Sequence, residues 1–228
     1  MILRLRRHTD GLHLGLMLAL TFSTGVVDAV GYLGLDRVFT GNMTGNVVIL
    51  GMALTGADGL PIAGPVIALV LFLLGAALAG RIVRDLNAGW STRTTALFGF
   101  VTVLLVGSAI LLLALTDPGE TVKLIVTGAL GLAMGTQAGA ARHIGVKDVT
   151  TVVVTSTLVG LAFDSRFGAR TSKHPWIRRA GAIALIGVGA GVGALLLRVH
   201  VGAGILMAAL ITFLVTVLGH LGRPGPSA

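Results

Sequence analysis

The sequence predicts an all-α polytopic membrane protein with six transmembrane helices and two short re-entrant strand/half-helix segments, arranged as an inverted 3+3 repeat. Three observations point there: the composition, the order of long and short apolar runs, and the placement of the basic residues. Hydrophobic residues make up 54% of the chain, charged residues only 11%, and glycine alone supplies 34 of 228 positions. Such a balance belongs to chains that bury helices in lipid, with small residues letting backbones approach closely. No polar stretch is long enough to fold separately, so residues 1–228 read as a single membrane domain. Cysteine is absent, which excludes disulfides, thiolate metal sites and cysteine nucleophiles. The net charge of +8 is not a nucleic-acid footprint, because the basic residues sit in loops between apolar runs, where they orient a chain in the bilayer.

Taken in order, the chain begins with Arg4, Arg6 and Arg7 and an apolar run over about 12–35. At roughly 1.5 Å per residue that run spans the hydrocarbon core, and it has the length of a true membrane helix, so no cleavable signal peptide is expected. It is interrupted by Thr21, Ser23, Thr24 and Gly25 and contains Asp28. A short segment follows over 36–56, opening with Asp36-Arg37, then a few β-prone residues, a Thr/Asn-rich knot and a brief apolar helix. Spans follow at about 61–80 and 95–115, separated by a loop with Arg81, Arg84, Asp85 and Arg93. A loop carrying Asp117 and Glu120 leads to a span over about 122–141. A second knot at 147–165 opens with Lys147-Asp148, and a basic loop with Arg166, Arg170, Lys173, Arg178 and Arg179 comes next. Two spans at about 180–197 and 201–218 close the chain, and the tail RPGPSA is expected to be disordered.

Basic residues decide how many runs cross. If all eight cross, with the N-terminus inside, then Arg81, Arg84 and Arg93 fall outside, against the positive-inside rule. If each short run enters and leaves by one face, six crossings remain and the basic loops collect inside. Only Arg37, Lys123 and Arg198 then stay outside. Both termini are accordingly expected on the cytoplasmic face. Geometry agrees: an extended stretch over 38–42 at roughly 3.3 Å per residue reaches the midplane, and a helix over about 44–54 returns to the entry face. The second knot does the same from the opposite face, since three crossings separate the halves. The repeats are placed at 12–115 and 122–218. Gly34-Leu35 aligns with Gly145-Val146, Val38 with Val149, Thr40 with Thr151, Thr44 with Thr155 and Val48 with Val159.

The residues that could carry chemistry gather at the two knots. Thr40, Asn42, Thr44 and Asn46 open the first short helix; Thr150, Thr151, Thr155, Ser156 and Thr157 lie at the second. Two readings are open: plain capping of buried helix ends, or capping combined with ligand contact. Two helix N-termini meeting near the midplane would direct free N–H groups at one spot, which suits a small anion or a neutral molecule presenting acceptor atoms. Asp28 is the one carboxylate well inside an apolar run, and an ionisable group at membrane depth is a functional candidate by default. It reads either as a proton-coupling or cation-binding group, or as a partner of Arg37 near the outer end of its helix. The equivalent position in the second half is near Gln137, which reads as interhelical glue or as a substrate contact. Arg142 and His143 end a span at the inner face as ordinary basic anchors. Glycines recur every fourth residue at Gly131, Gly135 and Gly139, at Gly187 and Gly191, and at Gly189 and Gly193, forming helix-packing faces that permit a homodimer without requiring one. No His-x-x-x-His or Glu-x-x-His pair lies within a span, so no metal is expected. No cofactor is expected either, nor an enzyme, since no nucleophile–base pair can be assembled.

The residues TGVVDAVGYLGLDRVFTGNMTGNVVILG, from Thr24 to Gly51, resemble the first signature of the YoaK family of bacterial integral membrane proteins, a group described as a domain of unknown function. GLAMGTQAGAARHIGVKDVTTVVVTSTLVGLA, from Gly131 to Ala162, resembles its later motif, with Thr155-Ser156 where such proteins often carry Thr-Gly. The resemblance covers nearly the whole chain. It implies a multi-pass protein of the bacterial inner membrane and brings no substrate with it. By architecture only, the pairing of extended stretch and half-helix is similar to the core of nucleobase and sulfate transporters. The expectation is therefore a secondary transporter of a small polar or anionic solute, bound at the midplane and coupled to protons through Asp28. The alternatives are a passive channel using the same two half-helices as a filter, or a scaffold that transports nothing. The partners expected are the solute and the lipid bilayer, with no nucleic acid.

Overall fold

A computed structural model describes residues 9–57, 59–115, 117–146, 151, 154–165 and 175–223. Eight helices form among them: α1 (Thr9–Gly34), α2 (Met43–Leu54), α3 (Ala63–Val83), α4 (Thr92–Leu113), α5 (Glu120–Ile144), α6 (Thr155–Phe163), α7 (Pro175–Leu196) and α8 (Val201–Gly222). Six of them, all but α2 and α6, are long and apolar enough to cross a bilayer. Local chemistry fixes several ends. Ser91 and Thr94 form a reciprocal capping box at the start of α4, and Gly145 ends α5 in the left-handed region with φ 74°. At α8, His200 Nδ1 accepts from the Gly202 amide. Arg4, Arg6, Arg7, Asp58, Lys147, Thr150, Arg166, Arg170, Lys173 and the tail after Arg223 lie outside the described residues, as does most of the extended run foreseen at the second knot.

Burial separates a centre from a periphery. In their most apolar windows α1 and α5 are 72% and 67% buried, against 22% for α3 and 17% for α7, so the first pair forms the core and the second faces lipid. The same pair holds the polar interior: Thr21, Ser23, Thr24 and Asp28 on α1, and Thr127, Thr136 and Gln137 on α5. Most of these hydroxyls donate to a carbonyl one turn earlier, which satisfies them without water.

Helix direction follows from which residues touch. Going along α3 and α5 together, Ala68 meets Gly131, Phe72 meets Gly135 and Ala76 meets Gly139, so the two run parallel. Likewise Phe22 meets Gly189, Val26 meets Gly193 and Gly34 meets Leu197, so α1 and α7 run parallel. Helix α8 is antiparallel to both α1 and α4: Gly204 packs on Val30 and Gly222 on Leu12, while Gly202 packs on Ala109 and Gly219 on Trp90. Hence α1, α4 and α7 point one way and α3, α5 and α8 the other. The chain leaves α1 and enters α3 at the same end of the bundle, and the Arg37 guanidinium, donating to the Gly59 carbonyl at 3.0 Å, ties the two sides of that excursion together.

The packing of the first four helices recurs in the last four. α1 packs on α7 as α5 packs on α3, α1 on α8 as α5 on α4, and α2 on α3 as α6 on α7. Individual contacts also correspond. Gly25 on Ile186 matches Gly135 on Phe72, Gly189 on Phe22 matches Gly75 on Leu132, and Gly193 beside Ala29 matches Ala79 beside Gly139. All three pairs share one shift, 110 residues from α1 to α5 and 114 from α3 to α7. At these sites an added Cβ would fall on the neighbouring helix, so glycine permits the approach. Gly187 and Gly191, by contrast, have nothing within 4 Å of where a Cβ would sit; of the two glycine registers on α7, only Gly189 and Gly193 pack against α1.

Candidate functional site

The site begins with the chain between α1 and α2. Asp36 and Arg37 both occupy the left-handed region, with φ of 68° and 56°. For non-glycine residues that conformation costs roughly 1–2 kcal/mol each. The Arg37 amide bonds Tyr32 O at 3.1 Å, and the rings of Tyr32 and Phe39 stack at 4.8 Å, which holds the turn closed. The stretch Val38–Asn42 is a correction to the sequence expectation: it is irregular, and no strand occurs among the described residues. A strand needs a neighbouring backbone, and here two side chains take that place. Asp28 Oδ1 accepts from the Thr40 amide at 2.9 Å and the Gly41 amide at 2.7 Å. Asn46 Oδ1 accepts from the Phe39 amide at 2.9 Å, while Asn46 Nδ2 donates to the Phe39 carbonyl at 2.6 Å. A Cβ at Gly41 would press on Thr24 Cγ2 at 2.9 Å, so glycine lets this stretch lie close against α1. The pairing of Asp28 with Arg37 that the sequence left open is also corrected: Arg37 reaches Gly59, and Asp28 holds backbone amides instead.

The two short helices start differently. Asn42 caps α2, its Oδ1 accepting from the Gly45 amide at 3.2 Å. α6 begins after Val154, and no side-chain N-cap bond forms there among the described residues. Its far end is fixed by Arg179 of α7, which donates to the Gly160 carbonyl at 2.6 Å and pairs with Asp164 at 2.5 Å.

Between these starts, α3 and α5 enclose a cavity of about 550 Å³. That lies within the ordinary range for small-molecule sites. Of the residues singled out from sequence, Asn42, Thr44, Thr151 and Thr155 line it. Thr40, Asn46 and Asp28 stand behind it, buried and committed to shaping the 38–42 stretch. Ser156 is exposed on the first turn of α6 and outside the lining. Gln137 is fully buried between α5 and α1, its Nε2 donating to Thr24 Oγ1 at 3.1 Å, and it does not reach the cavity. Room is made by Ala76 and Gly80 on one wall and Ala138 and Gly139 on the other.

Sequence reasoning missed Arg142. It read as an interfacial anchor, yet it lines the cavity from the last turn of α5, and no carboxylate is among the described lining residues. The signal was its spacing: Ala138 and Arg142 are four apart, on one helical face. Thr151 is 1% exposed and its hydroxyl finds no partner among the described residues. Among the described residues the site thus offers donors and one cation around a partly apolar chamber, with Phe72, Met43 and Val146 supplying its greasy surface.

Comparison with known proteins agrees with this architecture. Residues 16–218 match the family described as "Protein of unknown function (DUF1275)". The chain is 32% identical over 187 residues to the UPF0700 transmembrane protein YoaK of Bacillus subtilis (strain 168), an alignment covering 79% of this chain and 82% of that protein. No solved structure matches significantly. With a family match over most of its length and six helices fit to cross a membrane, the chain belongs to the YoaK (DUF1275) family of multi-pass membrane proteins.

Proposed function

We propose that the protein is a secondary transporter of a small polar or anionic solute, which binds in the cavity between the starts of α2 and α6. The observation that carries this reading is the cavity itself. Residues 111 positions apart in sequence, Thr40-equivalent Thr151 and Thr44-equivalent Thr155, come to one chamber with Asn42 and Thr44. Broken helices whose polar starts meet around a chamber are the usual way a membrane protein tolerates irregular backbone at depth. In this reading the two short segments are re-entrant and the halves form an inverted 3+3 repeat. The recurring contacts and the odd number of spans per half support it. The cavity then opens to the cytoplasmic face of the inner membrane, because its α5 wall ends beside the basic end of the bundle that holds Arg81, Arg84 and Arg93.

Asp28 enters this reading in two ways, as the clamp of the α2 start and as the proton-coupling group. Movement of the α1–α2 junction would be sensed directly by a carboxylate bonded to it. Uptake into proteoliposomes tests the whole proposal: a mixed panel of radiolabelled small solutes should yield at least one whose saturable uptake falls about tenfold or more in Asn42→Ala and Thr44→Val, with the protein equally abundant. Counterflow driven by solute inside the vesicle distinguishes a carrier from a passive channel. Absence of any Asn42-dependent uptake across the panel would leave the scaffold reading.

A further inference from the structure

The cavity's chemistry is one-sided, and from it we infer that the solute is a small organic carboxylate, a deepening that rests on the transport reading above. Three independent features converge on an anionic head. Arg142 lines the chamber and has no carboxylate partner among the described residues, and no acidic side chain is among the described lining residues. At the start of α6 no described side chain bonds as an N-cap, and Val154 and Thr155 are both on the cavity wall. Thr151, also on the wall, holds a buried hydroxyl without a partner among the described residues.

A guanidinium, a hydroxyl and the amides of Thr155 and Ser156 at a helix start form a donor set for oxygen acceptors bearing negative charge. A cation would find no counter-charge among the described lining residues. Asp28 is nearby, but its Oδ1 is occupied by the Thr40 and Gly41 amides and Gly41 stands between it and the chamber. The apolar part of the lining decides between an inorganic and an organic anion. Phe72, Met43, Ala76 and Val146 give a surface with nothing to offer a fully hydrated oxyanion, whereas a hydrocarbon tail would be desolvated there favourably. The α2 side adds Asn42 and Thr44 as neutral polar groups at the rim of that surface.

Binding to the purified full-length protein in detergent, followed by calorimetry, tests this with four probes of similar size: sodium butyrate, butyramide, butylammonium chloride and sodium sulfate. Butyrate should bind, with butyramide and butylammonium weaker by about tenfold or more, as expected when a charge-assisted pair is lost. Arg142→Gln should weaken butyrate by a similar factor, Arg142→Lys should restore part of it, and Thr151→Val should weaken it while Arg93→Gln does not. Sulfate binding in preference to butyrate overturns the carboxylate assignment, as do equal affinities for butyrate and butyramide, or an Arg142→Gln protein that binds butyrate unchanged. Failure here and failure of the transport reading separate cleanly. Asn42-dependent uptake of a neutral or cationic solute would sink the carboxylate and leave the carrier standing.

Discussion

At the scale of single residues, the first knot shows how side chains can replace a missing strand. Asp28 and Asn46 together satisfy the amides of Phe39, Thr40 and Gly41 and the Phe39 carbonyl, all within a dozen or so residues of sequence. Each buried amide left without an acceptor costs roughly 1–3 kcal/mol. Asp28→Leu should therefore destabilise the protein by at least about 2 kcal/mol, read as a lowered midpoint of thermal unfolding in detergent. Asp28→Asn keeps an acceptor at Oδ1 and should unfold close to the wild type. That pair of variants separates the clamp from the coupling role, because loss of proton-driven uptake in a normally stable Asp28→Asn protein assigns coupling to the carboxylate. Full uptake in the same protein assigns it the clamp alone. Asn46→Ala removes both bonds to Phe39 and should cost about 1–3 kcal/mol. Asp36 lies in the left-handed region and is exposed, so Asp36→Gly should stabilise by up to about 1 kcal/mol.

At the scale of elements, close helix approach depends on a few glycines whose neighbours are backbone. A Cβ at Gly135 would collide with the Phe72 carbonyl, which cannot rotate away as a side chain could. Gly135→Ala should push α3 from α5 and cost about 1–3 kcal/mol, whereas Gly191→Ala meets open space and gains helix propensity. Matched thermal-unfolding curves check the contrast; equal effects of both variants would mean the α3–α5 interface is looser than described. The sequence alone could recognise both glycines as members of four-residue spacings, yet it could not tell a packed register from a lipid-facing one. That distinction depends on helix rotation, which periodicity in a uniformly apolar span does not encode. Span positions were legible for the opposite reason: length and hydropathy suffice where the solvent is hydrocarbon. The strand over 38–42 was misjudged because β-prone residues such as Val38, Phe39 and Thr40 were taken as a backbone preference, when they follow packing context. Arg142 escaped notice because a basic residue ending a span has an ordinary interfacial use, and only the fold brings it to face Asn42 and Thr151 across a chamber.

At the scale of the whole molecule, helix directions constrain what the two short segments can do. With α1 and α3 running oppositely, the chain between them must leave and re-enter at one end, and the bond from Arg37 to Gly59 closes that path. α5 and α7 likewise run oppositely, so the chain between them leaves and re-enters at the other end of the bundle. In the proposed reading, two intrusions from opposite faces would let the cavity between them close toward one side as it opens toward the other, which a bundle of complete crossings would not. The absence of native cysteine makes the arrangement directly measurable. Single substitutions Asp36→Cys and Ala57→Cys flank the first segment; Asn87→Cys lies at the α3–α4 loop; Val146→Cys and Ser165→Cys flank the second. In intact cells a membrane-impermeant maleimide should modify positions 36 and 57 alike, and should reach 87, 146 and 165 only after the membrane is opened. Labelling of 36 and 57 from opposite sides would make α2 a full crossing, although twelve residues at roughly 1.5 Å each fall well short of the hydrocarbon thickness. Such a result would also invert every later span, placing Arg81, Arg84 and Arg93 outside, against the positive-inside rule.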